Sequence, residues 1–229
     1  DQIERTGSVT DEDHGDEDYY SIDESTNSFA VSLGRELSDT VNMSIGYASV
    51  ERLPSVIELF MNGPHNATGR LETGNPNLKS ETSDNFDITF NYENGEYYGY
   101  ASFYVNDVDN YIILMDEDED HAEEEGHDED EHHDDDDHDS DGHDDHGYGN
   151  LIHADYVQED AEFDGYEIEF GRTMRLASGE LTLSFGRDVV NAKFADGHNV
   201  PRINPTRNVY SLAYEQDDTI FKLSMKDVE

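Results

Sequence analysis

Between Asp116 and His146 the chain gathers its most reactive side chains: DEDEDHAEEEGHDEDEHHDDDDHDSDGHDDH, 31 residues with 20 Asp or Glu and 7 His. The other four are Ala122, Gly126, Ser140 and Gly142, so no Lys or Arg neutralises the run. Carboxylates alone suit Ca2+ and Mg2+, whereas neutral imidazole suits Zn2+, Cu2+ and Ni2+. Seven histidines among the acids therefore point to zinc, with calcium and other divalent ions left open. The candidate ligands are His121, His127, His132, His133, His138, His143 and His146, with Asp134, Asp137 and Asp141. From His127 onward the histidines are separated by 5, 1, 5, 5 and 3 positions, which fits neither a helix face nor a strand face. Such spacing offers many overlapping ligand sets, as a flexible collector of high capacity would.

Two blander readings stand beside this one. Asp137, Asp139, Asp141 and Gly142 match the start of an EF-hand loop, but Tyr148 occupies the twelfth position, where a bidentate acid belongs. The stretch also fits a solvated, self-repelling loop, which explains the carboxylates and leaves the histidines unexplained. Outside the stretch, His65 in NGPH, and His153 with Asp155, are further candidate ligands. His14 and His198 lie in polar surroundings without distinguishing neighbours. No G-x-S-x-G, H-E-x-x-H or P-loop occurs, so no catalytic constellation is expected.

The acidity is general. Net charge is 13 − 57 = −44, of which the stretch supplies −20, leaving −24 for the rest. This excludes a nucleic-acid footprint and suits attraction of cations. Without Cys, thiolate metal sites are ruled out. No apolar run approaches the roughly 20 residues of a membrane-spanning helix. The opening DQIERTG is no signal peptide, and the chain reads as a fragment of a longer protein.

The elements that must position these residues are strands. Phe29, Val31 and Leu33 alternate with small or polar residues, as do Val41, Met43, Ile45 and Tyr47; Phe86, Ile88, Phe90 and Tyr92; Tyr166, Ile168 and Phe170; and Leu181, Leu183 and Phe185. Residues 97–114, NVYSLAY and TIFKLSM bring the total to eight strands, with a bulge expected near Asn106–Asp109 and no helix. Tight turns at 36–39, 93–96, 175–179 and 215–218 alternate with long connections at 1–20, 51–82, 115–150 and 195–206. Residues 1–27 are expected as an external loop and strand entry, and 115–150 as an external loop. Short turns at one end and long loops at the other fit an all-β, antiparallel transmembrane β-barrel meander. A soluble sandwich shares the alternation, but the Gly, Ser, Thr and Asn on the second face suit a wet lumen, and tyrosines at strand ends suit interfacial girdles.

The connection after the second strand reads ERLPSVIELFMNGPHNATGRLETGNPNLKSE. It resembles the segment R-A-P-S-x-x-E-L-[FY] … G-N-P-x-L-x-x-E of TonB-dependent outer-membrane receptors, on Arg52, Pro54, Ser55, Glu58, Leu59 and Phe60, then Gly74, Asn75, Pro76, Leu78 and Glu81. Leu53 stands where Ala is usual. VPRINPTR (200–207) and FDGYEIEF (163–170) resemble two further motifs of that family, in the family's order. The resemblance implies a barrel of about 22 strands, of which residues 1–229 hold about eight, with the plug domain, TonB box and signal peptide outside the chain. It implies the outer membrane of a Gram-negative bacterium, contact with outer-membrane lipid, and a TonB complex reached through the missing N-terminal part. NGPHNATG with a His/Asp-rich loop resembles the zinc-uptake receptors of the ZnuD type. Zinc uptake is the function expected. A haem or siderophore receptor shielded by the acidic loop, and a secreted cation-binding β-domain, remain alternatives.

Overall fold

The computed structural model describes residues 2–10, 17–117, 151–176 and 178–229. The ten candidate ligands between His121 and His146 lie outside the described residues. In chain order the elements are β1 (Gln2–Thr10), β2 (Glu17–Ser25), β3 (Phe29–Ser38), β4 (Val41–Arg52), α1 (Val56–Phe60), β5 (Asn62–His65), β6 (Arg70–Thr73), β7 (Glu81–Asn94), β8 (Tyr97–Asp116), β9 (Ile152–Leu176), β10 (Gly179–Phe194), β11 (Arg207–Gln216) and β12 (Thr219–Val228).

Eight of these strands form one antiparallel meander, β3-β4-β7-β8-β9-β10-β11-β12, with β3 and β12 as its free edges. The sheet is open, as expected of a segment of a larger barrel. All four tight connections fall where the turn residues put them. The β7–β8 turn uses Gly95 at φ 58° and the β11–β12 turn Asp217 at φ 50°, the left-handed backbone that such reversals need.

Register turns the alternation of single strands into two continuous surfaces. Leu33, Ile45, Ile88, Phe103, Tyr166 and Val189 stand directly opposite one another in turn across six strands. Gly34, Ser44, Thr89, Ser102, Glu167, Asp188 and Arg207 form the neighbouring row on the other face. That polar row is cross-linked: Thr89 and Ser102 hydroxyls lie 2.9 Å apart, and Arg207 Nε donates to Asp188 at 2.9 Å. The apolar face lies open, with Leu33 72 % and Phe170 53 % exposed. A sandwich would bury it under a second sheet; among the described residues none covers it, which fits contact with lipid.

On the polar face of β9, Gly165 and Gly171 sit opposite Tyr104 and Tyr98. A Cβ at either position would run into the facing tyrosine ring, so glycine lets these rings lie flat over the wall.

β8 and β9, 20 and 25 residues long, exceed the 9–11 residues of a membrane crossing. The bulge anticipated near Asn106–Asp109 lies at Asp109 and Asn110, where two β8 residues face the single Asp160. Asn110, at φ 55°, donates its N–H to Asp160 at 2.8 Å and accepts from Gln158 Nε2 at 3.0 Å. Side chains thus satisfy backbone groups that the ladder cannot. Beyond the bulge the β8–β9 ladder is packed on both faces. Ile112 joins Leu59 and Leu78 of the segment 53–80 in one buried cluster. Ile113, on the opposite face, joins Ala161, Ala192, Phe194 and Val200.

Three elements lie within the connection 51–82, where the sequence suggested only loop. α1 is a single turn, β5 pairs with β6, and β6 pairs with β9 in parallel. β1 and β2 form a hairpin within the first 27 residues, and Tyr20 and Phe60 rings approach to 6.0 Å between it and α1.

Candidate functional site

The long connection 53–80 is built by the residues that looked like a motif. Ser55 caps α1 with a full capping box: its hydroxyl accepts from Glu58 N at 3.2 Å, and Glu58 Oε2 accepts from Ser55 N at 2.6 Å. The same Glu58 carboxylate receives Arg52 Nη1 at 2.9 and 3.0 Å. Arg52 also grips Glu81, through Nε at 3.3 Å and Nη2 at 3.0 Å, and Glu81 Oε2 accepts the N–H of Ile112 at 2.9 Å. One guanidinium therefore ties the end of β4, the start of β7 and α1 to the bulged part of β8. Leu59, 1 % exposed, is the apolar peg of the helix. Gly74 leaves no room for a Cβ against the backbone of Leu59, Phe60 and Met61, and its N–H reaches Met61 O at 2.6 Å. Gln158 of β9 completes the attachment, accepting from Lys79 N and donating to Lys79 O, both at 2.8 Å. The chemistry of the motif is thus structural: it fastens a long connection to the sheet.

What it fastens is the β5–β6 hairpin, which carries His65. Its Nδ1 lies 2.9 Å from Glu72 Oε1, and the Thr68 hydroxyl stands 2.9 Å from the same oxygen and 3.0 Å from His65 O. Glu72 is 3 % exposed, whereas the His65 side chain is 48 % exposed. A buried carboxylate thus faces a half-exposed imidazole.

β6 sets this pair beside the root of the acidic stretch. In its parallel register Glu72 stands opposite Ala154, and Ala154 stands opposite Asp116 across the β8–β9 ladder. Ala154 is fully buried between them. Arg70 reaches over to Asp116 with Nε to Oδ1 at 2.6 Å and Nη2 to Oδ2 at 2.7 Å. From the other side Arg202, at φ 62°, brings Nη1 to 3.7 Å from Asp116 Oδ2 and donates Nη2 to the carbonyl of Leu114. The Arg70 hydrogen bonds hold the Asp116 carboxyl below the usual carboxylate range; its partial burial opposes them, and the Arg70 and Arg202 charges add to them. The acidic run begins from a fixed point.

His153 and Asp155 stand beside Leu71 and Thr73 in the same register. Strand alternation puts them on the β9 face opposite Ala154, so the sheet separates them from Glu72. Both are exposed. His65 and the His153–Asp155 pair therefore share an end of the sheet without sharing a face. Among the described residues no three His, Asp or Glu side chains are gathered closely enough to hold a metal ion by themselves. The connection 195–206 adds a local pair: His198 Nδ1 is 2.6 Å from Asp196 Oδ2, and the His198 N–H meets Asp196 Oδ1 at 2.9 Å. That N–H is the main cause holding the Asp196 carboxyl low, while burial, with the Asp196 charge next, raises Glu159.

Sequence reasoning missed Glu72. Seven positions from His65, in a hairpin with neither clean alternation nor a standard turn pair, it had no local signature.

The family model described as TonB dependent receptor-like, beta-barrel matches residues 1–224. Among solved structures the chain is similar to the copper transporter OprC, with a TM-score of 0.60 and 19% identity over 93% of this chain and 27% of that one. It is also similar to a double mutant of the Serratia marcescens hemophore receptor HasR in complex with its hemophore HasA and heme (0.53, 14%, over 98% and 38%). The siderophore receptor PirA from Acinetobacter baumannii gives 0.52 and 15%, over 91% and 29%. At these identities the likeness is one of fold, and the chain spans 27%, 38% and 29% of the three proteins. Family model, meander and lipid-facing surface agree: the chain belongs to the TonB-dependent receptor-like β-barrel family, whose members lie in the outer membrane of Gram-negative bacteria.

Proposed function

We propose that the chain is the metal-gathering part of an outer-membrane receptor that takes up a divalent cation, zinc foremost. The stretch Asp116–His146 collects the ion, and His65 on the β5–β6 hairpin receives it. One observation carries this reading: the His/acid run is inserted between β8 and β9, the two longest strands, at the long-loop end of the meander, and its first residue is clamped beside the His65 hairpin. A storage device would need no such placement at a barrel mouth. Imidazole ligation also makes capture sensitive to acid, because a protonated ring no longer binds metal. His153 and Asp155, on the other face of β9, would act as rim ligands. In the whole receptor a plug and the TonB complex would drive the passage inward.

The test is accumulation of labelled zinc by cells producing the full-length protein or a variant lacking residues 118–146, which keeps the Asp116 clamp. Slower uptake at limiting zinc, restored at high zinc, is the expected result. Equal uptake at every concentration would refute the collector. Copper is the control ion, since imidazole binds it at least as readily as zinc.

A further inference from the structure

The pairing of His65 with Glu72 is more specific than a solvated loop histidine would need. A carboxylate can only accept, so His65 Nδ1 must be the donor across the 2.9 Å contact. Free imidazole favours no such arrangement. Here Nδ1 carries the proton, and Nε2 keeps its lone pair on a ring whose side chain is half exposed. Glu72 cannot turn away: it is 3 % exposed, stands opposite the fully buried Ala154, and is held by the Thr68 hydroxyl at 2.9 Å. Its nearest cationic neighbour along β6, Arg70, is engaged with Asp116. A buried carboxylate costs stability unless it is hydrogen-bonded, and the contacts that satisfy Glu72 are those of His65 and Thr68.

We propose that Glu72 is the positioning residue that fixes the tautomer and ring orientation of His65, presenting Nε2 as the ligating nitrogen to a divalent, imidazole-binding ion. This deepens the functional reading above and rests on His65 being a ligand there. Glu72 itself does not touch the ion. Carboxylate–histidine pairs tune ligands in this way, by holding the ring and raising the basicity of the free nitrogen. The remaining ligands come from elsewhere in the receptor, in keeping with the described residues offering no complete set of three.

The experiment uses the full-length receptor in detergent, with residues 118–146 deleted to lower the background, and Zn2+ alone as probe. His65→Ala, Glu72→Gln and Glu72→Ala are compared by equilibrium dialysis and by the 15N shifts of the histidine rings. His65→Ala assigns the ring signal and is expected to abolish one zinc site. Glu72→Ala is expected to weaken that site about 10- to 100-fold and move the His65 ring from the Nδ1–H form towards the mixture of free imidazole. Glu72→Gln, which keeps the volume and one acceptor oxygen, should weaken binding less and leave the tautomer in place. A purely structural Glu72 would leave the tautomer unmoved in all variants; that result, or unchanged affinity in both Glu72 variants alongside a lost site in His65→Ala, overturns the proposal. If His65→Ala itself retains every site, the ligand reading of His65 fails first.

Discussion

Arg70 and Asp116 meet in a two-point ion pair, at 2.6 and 2.7 Å, 46 positions apart in sequence. The planar guanidinium matches the carboxylate edge to edge, a geometry that a lysine cannot reproduce. Both side chains are mostly shielded, 20 % and 13 % exposed. The consequence is that the acidic stretch leaves β8 from a defined point, directly beside the hairpin that carries His65.

The pair should make the stability of this end depend on pH in one direction. Asp116 is held below its ordinary pKa, so its contribution is present above the unfolded value of about 3.9 and is lost as pH falls through the folded value. Asp116→Asn should therefore cost about 1–2 kcal/mol at neutral pH and progressively less below about pH 3.9. Urea unfolding in detergent, followed across pH for both forms, checks this; a difference that grows in acid would contradict it.

Arg52 serves two carboxylates at once. Its removal leaves Glu58 and Glu81, 16 % and 14 % exposed, without their cation. Arg52→Ala should cost about 2–3 kcal/mol. Adding Glu58→Gln and Glu81→Gln should recover part of that loss by removing the uncompensated charges. Thermal unfolding of the single and triple variants measures the recovery, and a strictly additive loss would disprove the shared clamp.

Leu59 tests whether the 53–80 segment is a separate cooperative unit. Truncating this 1 % exposed side chain opens a cavity against Leu78 and Ile112, at about 2–4 kcal/mol. Amide exchange should quicken across 53–80 and leave the β9–β10 ladder as protected as before. Uniformly faster exchange throughout the sheet would show that the segment is not independent.

The strands of the meander were legible because each has one face in lipid and one in water, so residues such as Leu33, Ile45 and Phe103 write the period of two directly into the chain. The bulge could be placed to within a residue or two because Asp109 and Asn110 interrupt that alternation. α1 was legible in principle and overlooked: Ser55 and Glu58 are a capping box, obscured by the following turn being only five residues long. β5 and β6 were not legible, since strands of four residues are too short to show a period and β5 contains Gly63 and Pro64. The β1–β2 hairpin was hidden by its acidic composition, and the parallel pairing of β6 with β9 joins residues some 80 positions apart, which no local pattern encodes. For the site, the histidines announced themselves by type, whereas Glu72 and Arg70 acquire their roles only from register and Arg202 only from the path of the connection 195–206. His153 and Asp155 were separate candidate ligands, and alternation puts them on the face of β9 away from Glu72.

On the proposed function, the histidines of the stretch 116–146, rather than its charge alone, gather zinc. Zinc bound per chain, counted by equilibrium dialysis of the full-length protein at about pH 7.5 and about pH 5.5, tests it most directly. The comparison is with a variant in which the seven histidines from His121 to His146 are changed to Asn, leaving all 20 acids in place. Several zinc ions per chain are expected for the native protein at the higher pH, most of them lost at the lower pH and most of them absent in the variant. Equal, pH-insensitive zinc binding by both proteins would contradict it.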